Sequence, residues 1–571
     1  MGYLNEKCGV LGIDFRGLDE GQLEKIVQRA IGLNQDSFGI DKLDPEIIDL
    51  AQEGMYSRYA AAIIGVIGEY WLRHRGQDSA GIAVSDGDRV QLVRGPGLVH
   101  QVLTAAKIRP LNGLMAILHN RYTITGAIIE QNEQPSTADS KWDLLAAAHN
   151  GNLVNEVQLR GELRDNGIFV PGTSDTSLIP YLIEGSGTDN LVDAIEAAAL
   201  RLVGAYSLLV MTKDEIAVLR DPHGIRPLYT GEFKTSVWKK RGRAFASEAI
   251  ALKMLGATNV RQVKRGEIHV YDGKYHATRV LPEQKSANCV FCDIYLARGR
   301  TEEERINEVF GDNVVDFRIN SGRTSYWEHR WAIDEVVRAR GLQDILVVPV
   351  RGSGYYAGVG FYEEFKLDLG ATEQNWGVGA LQKRAPDLRS FIAGDPEKRK
   401  EAADFVANRE MISGKWVFLL EDSVVRGTTG EKLVSLLRDA GAQGIYYISA
   451  SPEYKWPCFY GVATPSRDEL FMAKRSIKKA AADLGVDYLG FLSLQGLAEC
   501  AIMGNGYHRI KSFLHRHPGF AGSLLGHGVR ALMPGAGRIM NRFRAQYDAA
   551  CFTGEYPTEL PLNVREKYLV N

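Results

Sequence analysis

Residues Trp416–Thr429 read WVFLLEDSVVRGTT. An apolar run, two adjacent acids and a short loop closing on Gly427-Thr428-Thr429 describe a strand that ends at a carboxylate pair and turns into a helix. The same grammar occurs upstream, where Asp344–Val350 (DILVVPV) runs into Arg351-Gly352-Ser353-Gly354 and then helical sequence. Strand, glycine-containing loop and helix in alternation predict a parallel α/β sheet with ligands at the strand ends.

Toward the N-terminus the pattern changes. Cys8–Phe15, Ala80–Ser85, Met115–His119 and Tyr206–Met211 are short β-rich runs broken by Gly and Asn, and they alternate with helical patterns such as Leu191–Leu202. These predict an α+β layered domain. It closes near residue 283, where Pro282-Glu283-Gln284-Lys285-Ser286 has linker composition. The expected division is residues 8–283, 284–500 and a basic C-terminal stretch 501–571. Two segments read as additions to a core: Arg16–Tyr59, polar and helix-like, and Ala501–Gln546, Gly-rich. The second carries Arg509, Lys511, Arg516, Arg530, Arg538, Arg542 and Arg544 with no carboxylate. It reads as a solvated loop-helix excursion, with an anion or partner surface as the alternative. No internal repeat is visible.

Composition bounds the function. The 571 residues correspond to about three to four folding units, or two large ones. Apolar residues at 45% and charged residues at 24% exclude global disorder. Basic residues number 68 against 70 acidic, which gives no global case for nucleic acid or an anionic membrane as partner. No apolar run reaches the ~18 residues of a transmembrane helix, and the start MGYLNEK lacks a secretory apolar region. Six cysteines are too few for a disulfide framework, so a reducing cytoplasm is expected.

Several residues carry candidate chemistry. Cys8 precedes a Gly-rich strand, and removal of residues 1–7 would make its own α-amine the base that activates its thiol. Polar clusters follow at His74–Gln77, His119–Tyr122, His149–Asn152 and Thr173–Asp175. An amino-acid substrate needs a cation for its carboxylate and an anion for its ammonium, and Arg121 and Asp175 are the right types. The Asn150 side chain and Gly151 N–H are candidate oxyanion donors. In the second half, Glu421 and Asp422 suit a ribose diol or its Mg²⁺ shell, and the Gly-Thr-Thr that follows suits a phosphate at a helix start. Taken singly, each cluster also reads as an ordinary turn or cap.

In order, the motifs CGVLGI, HRGQDSAGIAV, NRYTITG, AHNGNLVN, TSD, RDPHGIRPL and ASEA are together specific. The chain resembles the glutamine phosphoribosylpyrophosphate amidotransferase family from Leu4 to Pro557, outside the two additions. The resemblance implies an N-terminal-nucleophile (αββα) glutaminase domain followed by an α/β type I phosphoribosyltransferase domain. It implies residues 1–7 as propeptide, Cys8 as nucleophile, Arg121 and Asp175 on glutamine, and Asn150 and Gly151 on the tetrahedral oxyanion. Glu421 and Asp422 would face the ribose hydroxyls, with Mg²⁺ nearby. Ser423, Arg426, Gly427, Thr428 and Thr429 would surround the 5-phosphate, and Ser353 would belong to the pyrophosphate loop. Lys383 falls at a mobile loop that closes over substrate, with Arg389–Ile392 at its downstream end. The implied activity is formation of 5-phosphoribosylamine, the first step of purine synthesis, by a homotetramer or homodimer regulated by purine nucleotides.

Three departures from the family pattern stand out. Ile124 replaces a hydroxyl residue beside the glutamine pocket. Arg351-Gly352 replaces Pro-Asp in the pyrophosphate loop. In the branch that carries a structural [4Fe–4S] cluster, the matching positions are Cys289, Cys458, Asp548 and Cys551, so a carboxylate stands at the fourth place, with Cys292 as an alternative ligand and a zinc site or unligated thiols as alternatives to the cluster. Cys500 reads as core. These departures leave open a paralogue aminating another phosphosugar or nucleotide, and a non-catalytic nucleotide-sensing protein.

Overall fold

The computed structural model describes residues 8–35, 45–121, 130–234, 241–273, 276–297, 308–383, 405–523 and 533–569, apart from isolated positions within those ranges. The segment 1–7, Ile124 and Arg389–Ile392 lie outside the described residues.

The N-terminal strands are β1 (Gly9–Asp14), β2 (Ser79–Ser85), β3 (Val90–Pro96), β4 (Met115–Arg121), β5 (Ser136–Ser140), β6 (Asp143–Leu153), β7 (Gly204–Met211), β8 (Ile216–Arg220), β9 (Tyr229–Lys234), β10 (Arg241–Ala246), β11 (Thr258–Gln262), β12 (Glu267–Tyr271) and β13 (His276–Val280). They form two antiparallel sheets, ordered β11-β9-β10-β1-β4-β2-β3 and β13-β12-β8-β7-β6-β5. The period-two alternation of strand side chains explains the layering. Val10, Met115, Ile117, Ala146, Ala148, Leu209 and Met211 share one core between the sheets. Their neighbours Leu11, Ile13, Ala116 and Leu118 face a helical layer on one side, while Leu145, Ala147, Leu208 and Val210 face a second on the other. Helices α1 (Glu20–Gln35), α2 (Pro45–Gln52) and α3 (Tyr56–Leu72) form the first layer; α4 (Leu178–Glu184) and α5 (Leu191–Ala199) belong to the second. The result is the expected αββα sandwich.

The described residues of Arg16–Tyr59 lie largely in α1, α2 and the start of α3, helical as expected, but they are not a polar addition. Leu23, Ile26, Val27, Ala30 and Ile31 fall at i, i+3, i+4, i+7 and i+8 on α1 and are buried in the sandwich core. Its polar composition reflects the outer face of an amphipathic helix.

Besides the short pair Glu308–Val309 and Asp312–Asn313, the C-terminal strands are β14 (Asn288–Cys289), β15 (Ile345–Pro349), β16 (Leu381–Lys383), β17 (Phe405–Ala407), β18 (Trp416–Glu421), β19 (Gly444–Ser449), β20 (Tyr488–Phe491) and β21 (Tyr547–Asp548). β15, β18, β19 and β20 form a parallel sheet in that order. Around it lie α6 (Val314–Glu328), α7 (Ser353–Leu369), α8 (Thr428–Asp439) and α9 (Leu494–Ile502), followed by α10 (Asn505–Arg516) and α11 (Ala536–Gln546). The stretch Ala501–Gln546 is less of a solvated excursion than its composition predicts. His508, Ser512, Leu514, Ile539 and Phe543 are buried, and the arginines Arg509, Arg538, Arg542 and Arg544 occupy the outer faces. The chain then returns to the domain junction, where β21 pairs in parallel with β14, setting Cys289 opposite Asp548.

Candidate active sites and the junction between them

Cys8 is fully buried at the start of β1, at one end of the sandwich. Its surroundings are knit by hydrogen bonds from four distant parts of the chain. The Cys8 carbonyl accepts Nε of Arg75 at 3.0 Å. The Gly9 N–H donates to Oδ1 of Asn120 at 2.7 Å, and the Val10 N–H donates to Oγ of Ser247 at 3.0 Å. Nδ2 of Asn150 donates to the same hydroxyl at 3.2 Å. Arg75 is itself held by Glu248, whose Oε1 accepts Nη1 at 2.5 Å and lies 2.8 Å from Nε2 of His74. Burial works against the Glu248 charge, but His74 and Arg75 outweigh it and hold the carboxyl well below its ordinary value.

The predicted glutamine residues lie at the same end. Arg121 is buried at the end of β4, beside His119 and Glu133. Asp175 accepts the N–H groups of Leu153 at 2.9 Å and Thr176 at 2.7 Å, and stands 3.6 Å from Nδ1 of His149. Burial raises its pKa, yet the His149 charge and these N–H groups bring it below the ordinary carboxylate value. Asn150 and Gly151 sit on β6 opposite Ser207 and Tyr206. At Gly151 a Cβ would lie 1.9 Å from the Ala205 carbonyl oxygen, so the close approach of β7 requires glycine.

In the second half, Glu421 and Asp422 are buried at the end of β18. Ser353, at the start of α7, donates Oγ to Oδ2 of Asp422, and Ser423 donates to Oδ1 at 2.7 Å. The acid pair thus joins the two strand-end loops predicted from sequence. Burial and the neighbouring Asp422 push Glu421 well above its ordinary value. Gly427 has φ +81 and precedes Thr428 at the start of α8. A Cβ there would lie 2.5 Å from the Phe471 ring. Thr429 is half-buried and Thr428 exposed. Arg426 points Nε and Nη2 at Glu469, at 3.1 and 2.7 Å, which ties its guanidinium to a carboxylate. Arg351 is exposed. Lys383 ends β16, paired with Phe405.

Between the two sites, Nδ2 of Asn152 donates to the Phe459 carbonyl at 2.8 Å, joining β6 to the phosphoribosyl half one residue from Cys458. Cys289, Cys292, Cys458 and Cys551 are buried in one core there, with Cys500, and none of the six cysteines is in a disulfide. Cys292 shares a hydrogen bond with Cys289, and Asp548 influences Cys289, Cys458 and Cys551. Burial raises Cys289 and Cys551 further, takes Cys458 to about 11 and takes Asp548 to about 7.

A family model described as a glutamine amidotransferase domain matches residues 119–254. An amidophosphoribosyltransferase from Methanothermobacter thermautotrophicus is 34% identical over 443 residues, covering 77% of this chain and 87% of its own. One from Synechococcus elongatus is 33% identical over 475 residues, covering 81% and 91%. The chain belongs to the amidophosphoribosyltransferase family. The solved structure of the Bacillus subtilis glutamine phosphoribosylpyrophosphate amidotransferase complexed with ADP and GMP matches with a TM-score of 0.69 at 27% identity, over 97% of this chain and 98% of that one. Amidophosphoribosyltransferases are pentosyltransferases that carry out the first step of purine biosynthesis, with glutamine and phosphoribosylpyrophosphate as substrates. Among the described residues no helix is long and apolar enough to cross a membrane.

Within this family fold, residues beyond the predicted set complete the sites. Asn120, Arg75, Glu248 and Ser247 frame Cys8, and Arg226 contacts Asn150. All lie inside the motifs HNRY, HRGQ, ASEA and RDPHGIRPL. The signal was present, but nothing in the local spacing says which side chain in each string faces Cys8.

Proposed function

We propose that the amidophosphoribosyltransferase reaction runs here through Cys8 and the Glu421–Asp422 pair. The observation that carries this reading is the net around Cys8, in which Arg75, Asn120, Ser247 and Asn150 meet one strand start. Removal of residues 1–7 frees the Cys8 α-amine. That amine takes the thiol proton as sulfur attacks the glutamine amide carbon. Asn150 Nδ2 and the Gly151 N–H bear the charge on the tetrahedral oxygen. Collapse breaks the C–N bond, the amine returns the proton, and ammonia leaves. Water then hydrolyses the thioester to glutamate. Arg121 holds the glutamine carboxylate and Asp175 its ammonium group.

Ammonia crosses to the second site and attacks C1 of phosphoribosylpyrophosphate as pyrophosphate departs. Glu421 and Asp422 take the ribose hydroxyls; Ser423, Gly427, Thr428 and Thr429 take the 5-phosphate; Ser353 orders the pyrophosphate loop through Asp422. Arg426, paired with Glu469, borders the phosphate loop, and Lys383 lies at the edge of the closing segment. Two buried adjacent carboxylates whose charges oppose each other fit a divalent cation shared with substrate oxygens. Mg²⁺ there would draw charge off the departing pyrophosphate.

The donor chemistry of the buried cysteines is that of a structural [4Fe–4S] cluster, which is our reading of this set. Cys289, Cys458 and Cys551 supply three thiols, and Cys292 is a better fourth donor than Asp548, because burial favours the protonated carboxyl and iron–sulfur clusters prefer thiolate. Among the described residues no three His, Cys, Asp or Glu stand close enough to hold a single metal ion. The cluster would pin the returning C-terminal strand to the junction. We also assign purine nucleotides as regulators, a homotetramer or homodimer as the assembly, and the reducing cytoplasm as location.

The test is a Cys8→Ser variant with intact-mass analysis. Wild type should lose residues 1–7. The variant should lose glutamine-dependent synthesis of the amine and keep ammonia-dependent synthesis. Undiminished use of glutamine by Cys8→Ser would refute the assignment.

A further inference from the structure

Arg226 is fully buried. Its guanidinium donates Nε and Nη2 to Oδ1 of Asn150, at 3.3 and 3.1 Å, and Nη1 to Sγ of Cys292 at 3.4 Å. Among the described residues no carboxylate forms an ion pair with that guanidinium; the groups acting on it electrostatically are the thiols of Cys292, Cys289, Cys458 and Cys8, Cys292 the most. Its main chain is fixed independently. Asp221 accepts the N–H groups of Ile225 and Arg226 at 3.1 and 3.3 Å, and Nε of Arg220 donates to the Arg226 carbonyl at 2.8 Å. The guanidinium is therefore presented by a locked turn.

Arginine is a donor only, so the amide of Asn150 has one orientation that satisfies it. Oδ1 must face Arg226, and Nδ2 must then face Ser247 Oγ, which already receives the Val10 N–H two residues from the nucleophile. The flipped amide would present a carbonyl oxygen to the charge that develops on the substrate and an N–H₂ to a guanidinium. Cys292 meets the same guanidinium from the other side. It also shares a small cavity of about 40 Å³ with Arg75, Ser247, Glu248 and Cys289.

We propose that Arg226 is the positioning residue of the oxyanion donor Asn150, with the Cys292 sulfur as its second anchor. The inference deepens the glutaminase reading above and rests on Asn150 acting as an oxyanion donor. It makes the glutaminase site sensitive to what is bound or bonded at Cys292, although Cys292 touches no substrate.

A double-mutant cycle on the full chain, reading glutamate release with both substrates present, tests it. Asn150→Ala should lose roughly 10²–10³ in kcat, the usual loss for one oxyanion donor. Arg226→Gln should lower kcat by ~10-fold or more with the glutamine KM within about threefold, because the donor acts in the transition state. Arg226→Lys should recover part of that loss by restoring a charged N–H donor. The pair Asn150→Ala/Arg226→Gln should be no slower than Asn150→Ala alone. Cys292→Ala should lower kcat in the same direction. Labelling of Cys8 by iodoacetamide, which forms no oxyanion, should proceed at the wild-type rate in the Arg226 variants and so reports an intact site. Multiplicative losses in the double variant, or a raised KM at unchanged kcat, would overturn the role of Arg226. Unchanged kcat in Cys292→Ala would overturn that of the sulfur. Full activity in Asn150→Ala would instead sink the oxyanion reading itself.

Discussion

Replacing Glu248 by Gln perturbs the charged centre that holds the nucleophile's own carbonyl. Glu248, His74 and Arg75 are all buried, and Nε of Arg75 is the group on the Cys8 carbonyl. Glutamine keeps the shape and one acceptor but removes the charge, leaving a buried guanidinium without its anion. Breaking a buried pair costs about 3–5 kcal/mol, and the retained acceptor places this change near 3. For a unit the size of the glutaminase half, that is a fall of roughly 6–12 °C in Tm.

The pH dependence supplies a second readout. Because the Glu248 carboxyl is held below its ordinary value, its contribution is fully present above about pH 4.5 and is lost as the pH falls through the folded value. Wild type therefore loses stability on acidification through this group, while the variant has no carboxylate to protonate. The Tm gap between the two should be level from pH 7 to about pH 4.5 and should narrow as the pH is taken below that, in scanning calorimetry at matched ionic strength. Glutaminase kcat should fall ~10-fold or more at pH 7, since displacements of about 1 Å around a nucleophile cost up to ~10². A gap under ~2 °C at pH 7, or one that does not change with pH, would refute the reasoning, because the ion triad would then not carry the stability assigned to it.

Other changes separate the two halves. Gly151→Ala should destabilise by about 1–3 kcal/mol by forcing Cβ against the Ala205 carbonyl, read by denaturation, and should abolish glutamate release. Asp422→Asn frees Ser353 and Ser423; charged hydrogen bonds contribute about 1.5–3 kcal/mol, so kcat/KM for phosphoribosylpyrophosphate should fall roughly 10- to 150-fold in an ammonia-dependent assay. Gly427→Ala drives Cβ into the Phe471 ring and should raise the KM for phosphoribosylpyrophosphate while Cys8 still labels normally. Asn152→Ala cuts the bond to Phe459, at a cost of about 0.5–1.5 kcal/mol, and should raise the ratio of glutamate to phosphoribosylamine above one as ammonia escapes.

What was legible in the sequence follows the range of the interactions involved. The strand ends at Val350 and Glu421, the sandwich strands and the acid pair are local patterns, and each is found within a residue or two of its expected place. The core role of Arg16–Tyr59 was hidden because polar residues dominate a stripe whose buried positions are every third and fourth. The frame around Cys8 was hidden for a different reason. Asn120 and Ser247 are 111 and 237 residues from the backbone groups they bind, and such pairing is fixed by strand register, not by any local signal. Arg226 shows the limit most clearly. Its motif reads as a turn, and it is a turn, but the use of its guanidinium depends on Asn150 of β6 and on Cys292 just after β14.

The junction links these observations. Ammonia is a nucleophile only while unprotonated, so a two-site enzyme must keep its halves in register and exclude bulk water between them. In this chain the bonds that cross between the halves include Asn152 to Phe459, Nη2 of Arg220 to Oδ1 of Asn288 at 3.0 Å and the Cys289 N–H to the Ile225 carbonyl at 3.2 Å, and the β14–β21 pairing then brings Asp548 beside Cys289. The cysteines lie among these bonds, and Arg226 runs from them to the oxyanion donor. A perturbation of the cysteine set therefore has a direct route to the nucleophile's site and a separate one to the docking of the two halves. The routes make different forecasts. Damage through Arg226 lowers kcat for glutamine hydrolysis while each glutamate formed still yields one amine. Damage through the junction leaves hydrolysis intact and lets ammonia escape. Measuring hydrolysis and the product ratio together in Cys292→Ala and Asn152→Ala distinguishes them, and the anchoring role of the Cys292 sulfur requires that Cys292→Ala lower hydrolysis while Asn152→Ala leaves it intact.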